Sequence, residues 1–218
     1  MRLPVFLFAL VLAAPSVMAA EIDHTVDFPK GDAAWAITIE KEKQPAPGAA
    51  ATPPAREVRR IEIVRKGNLR RDIIRWSDGG NSEHWLSTDP PLSLMQATAG
   101  GRVRAMKRSY LSGHMSDESD FSFVSASTFV GKHAFHGKTC RCYEHKVEIA
   151  EGEKQTIRAW IDDKTSRPVG WSDGVETSLY SFDLPVPKEP LVLPPEFEKE
   201  VARYRAYYAP PRRAGQPQ

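Results

Sequence analysis

Residues 133–145 read HAFHGKTCRCYEH and gather three of the six histidines and both cysteines of a 218-residue chain. Thiolate and imidazole donors suit Zn(II) or Cu(I), and two neighbouring thiols suit redox exchange. In a strand, side chains two apart share a face. Cys140 and Cys142 therefore point one way, and Tyr143, His145, Val147 and Ile149 point the other. The side of His133 depends on the turn at His136-Gly137. A two- or four-residue loop sets His133 opposite Cys140 on the cysteine face, and a three-residue loop sends it away. His136 sits at the tip in each case. A metal set would be His133, His136, Cys140 and Cys142, in a spacing that fits none of the common zinc modules.

Two other readings stay open. Cys140 and Cys142 can form a disulfide only across a bulge or kink. Positions two apart on a strand lie roughly 6.6 Å apart at Cα, whereas bridged Cβ atoms stand about 3.5–4.5 Å apart. Alternatively, they are small soft side chains packed on a hairpin, although an exported free thiol is hard to keep reduced.

Nothing else in the chain spells a reaction. Asp162-Asp163 are strand neighbours that face opposite ways, and Asp78 and Asp173 sit in glycine-rich turns. His84 and His114 are isolated. No Gly-x-Ser-x-Gly or His-Glu-x-x-His occurs, and no cofactor motif is present. An enzyme is not expected, and neither is a cofactor. The five tryptophans lie on or beside predicted strands, where core packing competes with the lining of a cavity. Trp35, Ile37, Trp85 and Trp160 are the cavity candidates.

The chain opens MRLPVFLFALVLAAPSVMAA, a basic residue, an apolar run and small residues, which is the form of a secretory signal peptide over residues 1–19. No cysteine follows for lipid attachment, and no later stretch is apolar enough to span a membrane. A periplasmic or secreted protein is expected. The formal charge of +2 falls to +1 when Arg2 is removed, which argues against nucleic acid as a partner. One local exception is REVRRIEIVRKGNLRRDIIR, with eight Lys/Arg against three acids. Arg59, Arg60, Arg65, Arg70, Arg71 and Arg75 form a basic patch that could meet phosphate head groups or an acidic envelope protein. They could equally be charges on a solvated sheet face.

The elements that must position these residues are strands. AWAITIEKEK alternates apolar and polar residues. The proline-rich residues 44–56 form a flexible linker, and a meander of three short strands follows. LSLMQATA predicts a short helix, and further strands are expected over residues 103–111 and 121–124, joined by an exposed loop. TCRCYEHKVEI, QTIRAWID and VETSLYSFDL continue the hairpins. Residues 195–208 form a helix whose stripe is Phe197, Val201, Tyr204 and Tyr208, and residues 209–218 form a disordered tail. The pattern gives one mainly β domain over residues 20–208. It is an antiparallel sheet that curls into a half-open barrel, with a C-terminal helix and one short helix.

AWIDDKTSRPVGW, then SLYSFDL, then LVLPPEF resembles the C-terminal half of the exported LolA/LolB-like lipoprotein-sorting superfamily. The matching residues are Trp160, Ile161, Asp162, Thr165 and Pro168, then Tyr180 and Phe182, then Leu193 and Pro194. FHGKTCRCYEHKV resembles the preceding strand in related members, so the likeness covers residues 135–197. Ser166 stands where the family's turn carries glycine, and the carriers' N-terminal helix is absent. The resemblance implies an unclosed barrel with helices lidding its mouth and a hydrophobic cavity for acyl chains. The expected function is non-enzymatic binding of an apolar or amphipathic envelope ligand, lipid or lipoprotein-like. The alternatives are a metal or thiol-redox protein built on His133, Cys140 and Cys142, and an adaptor for an envelope partner.

Overall fold

The computed structural model describes residues 22–41, 56–89, 91–96, 101–107, 118–150 and 152–208. The expected signal peptide and tail, most of the linker, and His114 lie outside them. Eleven strands form one antiparallel sheet: β1 (Ala33–Lys41), β2 (Val58–Lys66), β3 (Leu69–Trp76), β4 (Asn81–Thr88), β5 (Pro91–Gln96), β6 (Val103–Lys107), β7 (Phe129–Phe135), β8 (Lys138–Ala150), β9 (Glu153–Asp162), β10 (Pro168–Ser172) and β11 (Glu176–Ser181). Their spatial order is β6-β5-β4-β3-β2-β1-β11-β10-β9-β8-β7, with β6 and β7 at the free edges. Two hairpin meanders are thus joined where β1 pairs with β11, Ile37 opposite Tyr180. The sheet is not closed.

Alternation divides the apolar residues between two faces. The inner face carries Trp35, Ile37, Ile61, Ile63, Ile74, Tyr143, Ala159, Ile161 and Tyr180 in one buried cluster. Residues 22–32 run across this face. Arg141 Nη2 donates to the Thr25 carbonyl at 3.1 Å, and Arg65 donates to the Pro29 and Gly31 carbonyls. This path drops Phe28 among Trp35, Phe121, Tyr180 and Phe182, with ring centroids 5.6–6.3 Å away.

The outer face carries a second cluster: Trp85, Leu92, Leu94 and Val103, covered by Phe197 and Val201 of helix α1 (Pro195–Tyr208). The helix follows the expected stripe through Phe197, Val201 and Tyr204. Glu196 and Glu198 lie in its first turn and Arg205 in its last, as the macrodipole favours.

Two expected elements differ. The predicted helix at LSLMQATA is strand β5, followed by residues outside the description. Its period is two: Leu92 and Leu94 face α1, while Ser93 and Met95 pair across the inner face with Leu86 and His84. Pro91 is tolerated as the first strand residue. The strand predicted over residues 121–124 is a 3-10 turn at Glu118–Phe121. Phe121 is buried against Tyr180 at 5.4 Å, so packing into the hollow replaces pairing at a sheet edge. The strand expected over residues 103–111 is described as far as Lys107.

Ser166 has φ 56°, a left-handed backbone that explains why a glycine suits this turn. Its amide donates to the Asp162 carbonyl at 2.9 Å, its carbonyl accepts from Asp27 at 2.8 Å, and its hydroxyl accepts from Arg141 Nη2 at 2.9 Å. These bonds hold the strained residue in place.

Helix α1 rests on Phe197, which is fully buried against Trp85 at 6.1 Å between ring centroids. Phe197→Ala is expected to cost about 3–5 kcal/mol, read as a lowered urea midpoint with loss of helical circular dichroism.

Candidate functional site

The His/Cys hairpin closes with a two-residue turn. Phe135 pairs with Lys138, and His133 with Cys140. His136 and Gly137 have φ of 45° and 74°, the signature of a type I′ turn. His133 therefore shares the outer face with the cysteines but is exposed. His136 lies at the tip beside a shallow cavity with Lys138 and Arg167. His145 is on the inner side, stacked on Phe123 at 5.9 Å. Among the described residues, no three His, Cys, Asp or Glu side chains are grouped to hold a metal ion.

The cysteines are free thiols, both buried. Their neighbours explain why the side chains are small. Phe135 on β7 stacks flat on Trp160 of β9, with centroids 4.1 Å apart and planes 5° off parallel. Its ring also lies where a Cβ on Gly170 of β10 would meet it at 2.6 Å. To reach that position from β7 it passes over β8, whose side chains on this face are Cys140 and Cys142. Small residues on β8 and none at Gly170 leave room for this aromatic cover. Burial pushes both thiols up, Cys140 to about 11.

The four cavity candidates do not share one hollow. Trp35 and Ile37 lie on the inner face, fully packed. Trp35 has the Arg70 and Arg65 guanidiniums 5.5 and 5.7 Å from its ring, with Phe28 beside it. Trp85 and Trp160 lie on the outer face, under Phe197 and Phe135. Strand parity separates the pairs, because residues 35 and 37 are in register with Ile63 and Ile61, whereas Trp85 is in register with Arg71 and Leu94.

The basic stretch is spread over both faces and internally neutralised. Arg59 meets Glu57 at 3.6 Å, Arg60 and Arg75 both meet Glu62 at 3.1 Å, and Arg71 meets Glu83 at 2.6 Å. Arg65 is spent on backbone carbonyls, and Arg70 pairs with the fully buried Asp72 at 2.7 Å. From Asp72 a polar row crosses three strands on the inner face. His84 Nδ1 lies 3.3 Å from the second Asp72 oxygen, and His84 Nε2 meets the Ser93 hydroxyl. Asp72, His84 and Ser93 are each fully buried. The order resembles a nucleophile–base–acid relay, yet the Ser93 hydroxyl belongs to a fully buried residue and is spent on His84. What the row does visibly is satisfy the buried Asp72 and His84 groups. Sequence reading missed it, because its members are 12 and 9 residues apart and meet only through register. Its trace is polar residues at inward-facing positions in strands β3, β4 and β5.

The inner face does keep a pocket, at the end of the sheet away from residues 22–32. It holds about 390 Å3. Its walls are Ile39, Val58, Ile61, Trp76 and Trp171, with Ser178 beside them. These come from strands β1, β2, β3, β10 and β11. Four strand spacings cover about 19 Å in a flat sheet, so one pocket touched by all five strands requires the sheet to curl. Trp76 is fixed by its indole N–H, which donates to Ser82 Oγ at 2.8 Å. The Arg56 guanidinium covers one side of its ring at 4.6 Å. The Trp171 indole N–H is buried without an acceptor among the described residues. Glu57, Asp120, Asp173 and Glu176 stand at the rim, and Lys41 bridges Glu57 at 2.7 Å and Glu176 at 3.6 Å. That hydrogen bond holds the Glu57 carboxyl below its usual range.

No family model matches the chain, and no curated protein matches it. Among solved structures, one described as a "putative outer membrane lipoprotein-sorting protein domain" from Vibrio parahaemolyticus is 13% identical, covering 78% of this chain and 91% of that one, with a TM-score of 0.33. The overlap is partial, and the strand order and register of the sheet carry the fold on their own.

Three outcomes follow from the buried groups. In native protein at pH 8, iodoacetamide is expected to label both cysteines slowly and together, and rapidly in urea, as followed by mass spectrometry. A mass two units low before reduction would show a disulfide instead. Because the folded Cys140 pKa is raised from 9.0 to about 11, the native state keeps a proton the unfolded chain has lost. Stability is therefore full below pH 9 and falls as pH climbs from about 9 to 11, measured by urea melts across that range. Asp72→Ala strands Arg70 and His84 and is expected to cost about 3–5 kcal/mol, measured the same way.

Proposed function

We propose that the protein is an exported, non-enzymatic binding protein for an amphipathic ligand of the cell envelope. The ligand's apolar part is held at the Trp76–Trp171 end of the inner face. The observation that carries this reading is the pocket itself. A volume of about 390 Å3 lies in the range of small-molecule sites. Its walls are two indoles and aliphatic side chains with charged groups confined to the rim, the distribution an amphipathic molecule matches. Trp35 and Ile37 form the packed ground behind the pocket rather than its lining. Export rests on the signal-like first twenty residues.

The test is a tryptophan-fluorescence titration of the mature protein with single-chain fatty acids and lysophospholipids, together with native mass spectrometry of freshly purified protein. Binding is expected to shift the emission. Trp171→Ala and Trp76→Ala are expected to weaken it about tenfold each, from about 1.4 kcal/mol of lost contact. Trp85→Phe, on the opposite face, should leave it unchanged. An unresponsive spectrum together with an empty protein in the mass spectrometer would dismiss the role.

A further inference from the structure

The arginines of β2 and β3 are paired, whereas Arg102 and Arg104, at the start of the edge strand β6, are not. Both are exposed and make no ion pair or hydrogen bond among the described residues. With Arg203 of α1, whose partner is Glu200 at 3.3 Å, they line a groove of about 510 Å3 between β6 and the helix. Tyr204 and Tyr207 form its remaining wall, and Tyr207 is 81% exposed. On the other flank of α1, Arg205 lies in a second groove with Val192, which is 71% exposed. The acids Glu196 and Glu198 are in the helix's first turn, so its C-terminal half is the basic end.

We infer that the C-terminal half of α1, together with β6, is a docking surface for an anionic lipid bilayer. Arg102, Arg104 and Arg203 line the groove at the β6 edge, and Arg205 lines the second groove with Asp89 and Glu198; cations spread over a surface rather than turned into one pocket meet an extended array of negative head groups better than a single anion. Exposed tyrosine and valine among them suit the head-group region, where an amphipathic ring and a short aliphatic side chain are both accommodated. A duplex nucleic acid would use the cations but leave Tyr207 and Val192 idle. Each cation near an anionic membrane contributes about 1 kcal/mol, which corresponds to roughly a fivefold change in affinity. The surface lies along the β6 edge of the sheet, three strand spacings from the nearest strand of the Trp76–Trp171 pocket, so membrane docking and ligand binding can be measured separately.

The experiment is co-sedimentation of the full mature chain with phosphatidylcholine vesicles, with and without phosphatidylglycerol, at low and high salt. Capture is expected only with phosphatidylglycerol and should fade with salt. The R102A/R104A variant is expected to bind about 25-fold more weakly, at about fivefold per guanidinium. Both positions are exposed, so the variant tests the surface without disturbing the core. R71A, which removes a cation already paired with Glu83, should bind like the parent. Four results would each overturn the inference: no capture, equal capture by neutral vesicles, undiminished capture of R102A/R104A, or an equal loss in R71A. Retention on duplex DNA without vesicle capture would overturn it as well.

Discussion

The pairing of β1 with β11 is the constraint on which the molecule depends. The chain makes two local meanders, β1 to β6 and β7 to β11, and every other strand pair joins neighbours in sequence. Only this ladder, from Ala36 opposite Ser181 to Lys41 opposite Glu176, joins residues nearly the whole domain apart. It places Ile37 beside Tyr180 and so brings the apolar inner rows of both meanders into one cluster. Such a contact closes a long loop, so its ordering entropy must be offset by what it brings together. The Phe28 side chain, which reaches Trp35 on β1, Tyr180 on β11 and Phe121, lies over this seam.

The inner face beside the seam is also where polarity is most tightly managed. Asp72 stands in the inward row next to Ile74 and faces Ile63 across the ladder. A buried carboxylate is tolerable only when hydrogen bonds and a counter-charge replace water. Arg70 supplies the charge, and His84 and Ser93 extend the row across two further strands. A one-residue slip of β4 would move His84 to the other face and strand Asp72, so the row opposes wrong register more than it adds affinity between strands. The outer ion pairs of the same strands, Arg60–Glu62–Arg75 and Arg71–Glu83, are half in solvent. Each contributes about 0–1 kcal/mol, and together they neutralise part of the basic stretch.

What could be read from the sequence follows the reach of each signal. Strand alternation, turn residues and the stripe of α1 are local, and those elements stand where they were expected; the side of His133, open in the sequence, is decided by the two-residue turn that sets it opposite Cys140. Leu92–Gln96 was misread because LSLM suits either period, and only the partner face, Phe197 on one side and His84 on the other, decides between them. The tryptophan candidates were chosen by residue type, whereas a shared cavity requires shared parity. Trp35 and Trp85 differ in parity once β2, β3 and β4 are in register. The cysteines show the same limit. Their spacing suggests chemistry, but both thiols are buried beside the Phe135 ring's path from β7 to Trp160 of β9, and nothing local connects Phe135 with Trp160 and Gly170.

The curled sheet leaves a hollow, and two aromatic side chains of the protein itself enter it. Phe28 arrives from the N-terminal segment and Phe121 from the turn before β7, and between them they occupy the space above Trp35, Ile37 and Tyr180. At the other end of the strands Asp120 reaches the rim, and among the described residues Trp76 and Trp171 stand as walls around about 390 Å3. A space of that size lies at the small end of ligand pockets, so it suits one short apolar group rather than several full-length acyl chains. Whatever binds there must keep most of its length or its polar part at the rim, beside Lys41 and the carboxylates it bridges. On the proposed binding role, the aromatic plug of Phe28 and Phe121 would set how far a ligand can enter, and the site would be a shallow grip at the mouth rather than an enclosed store.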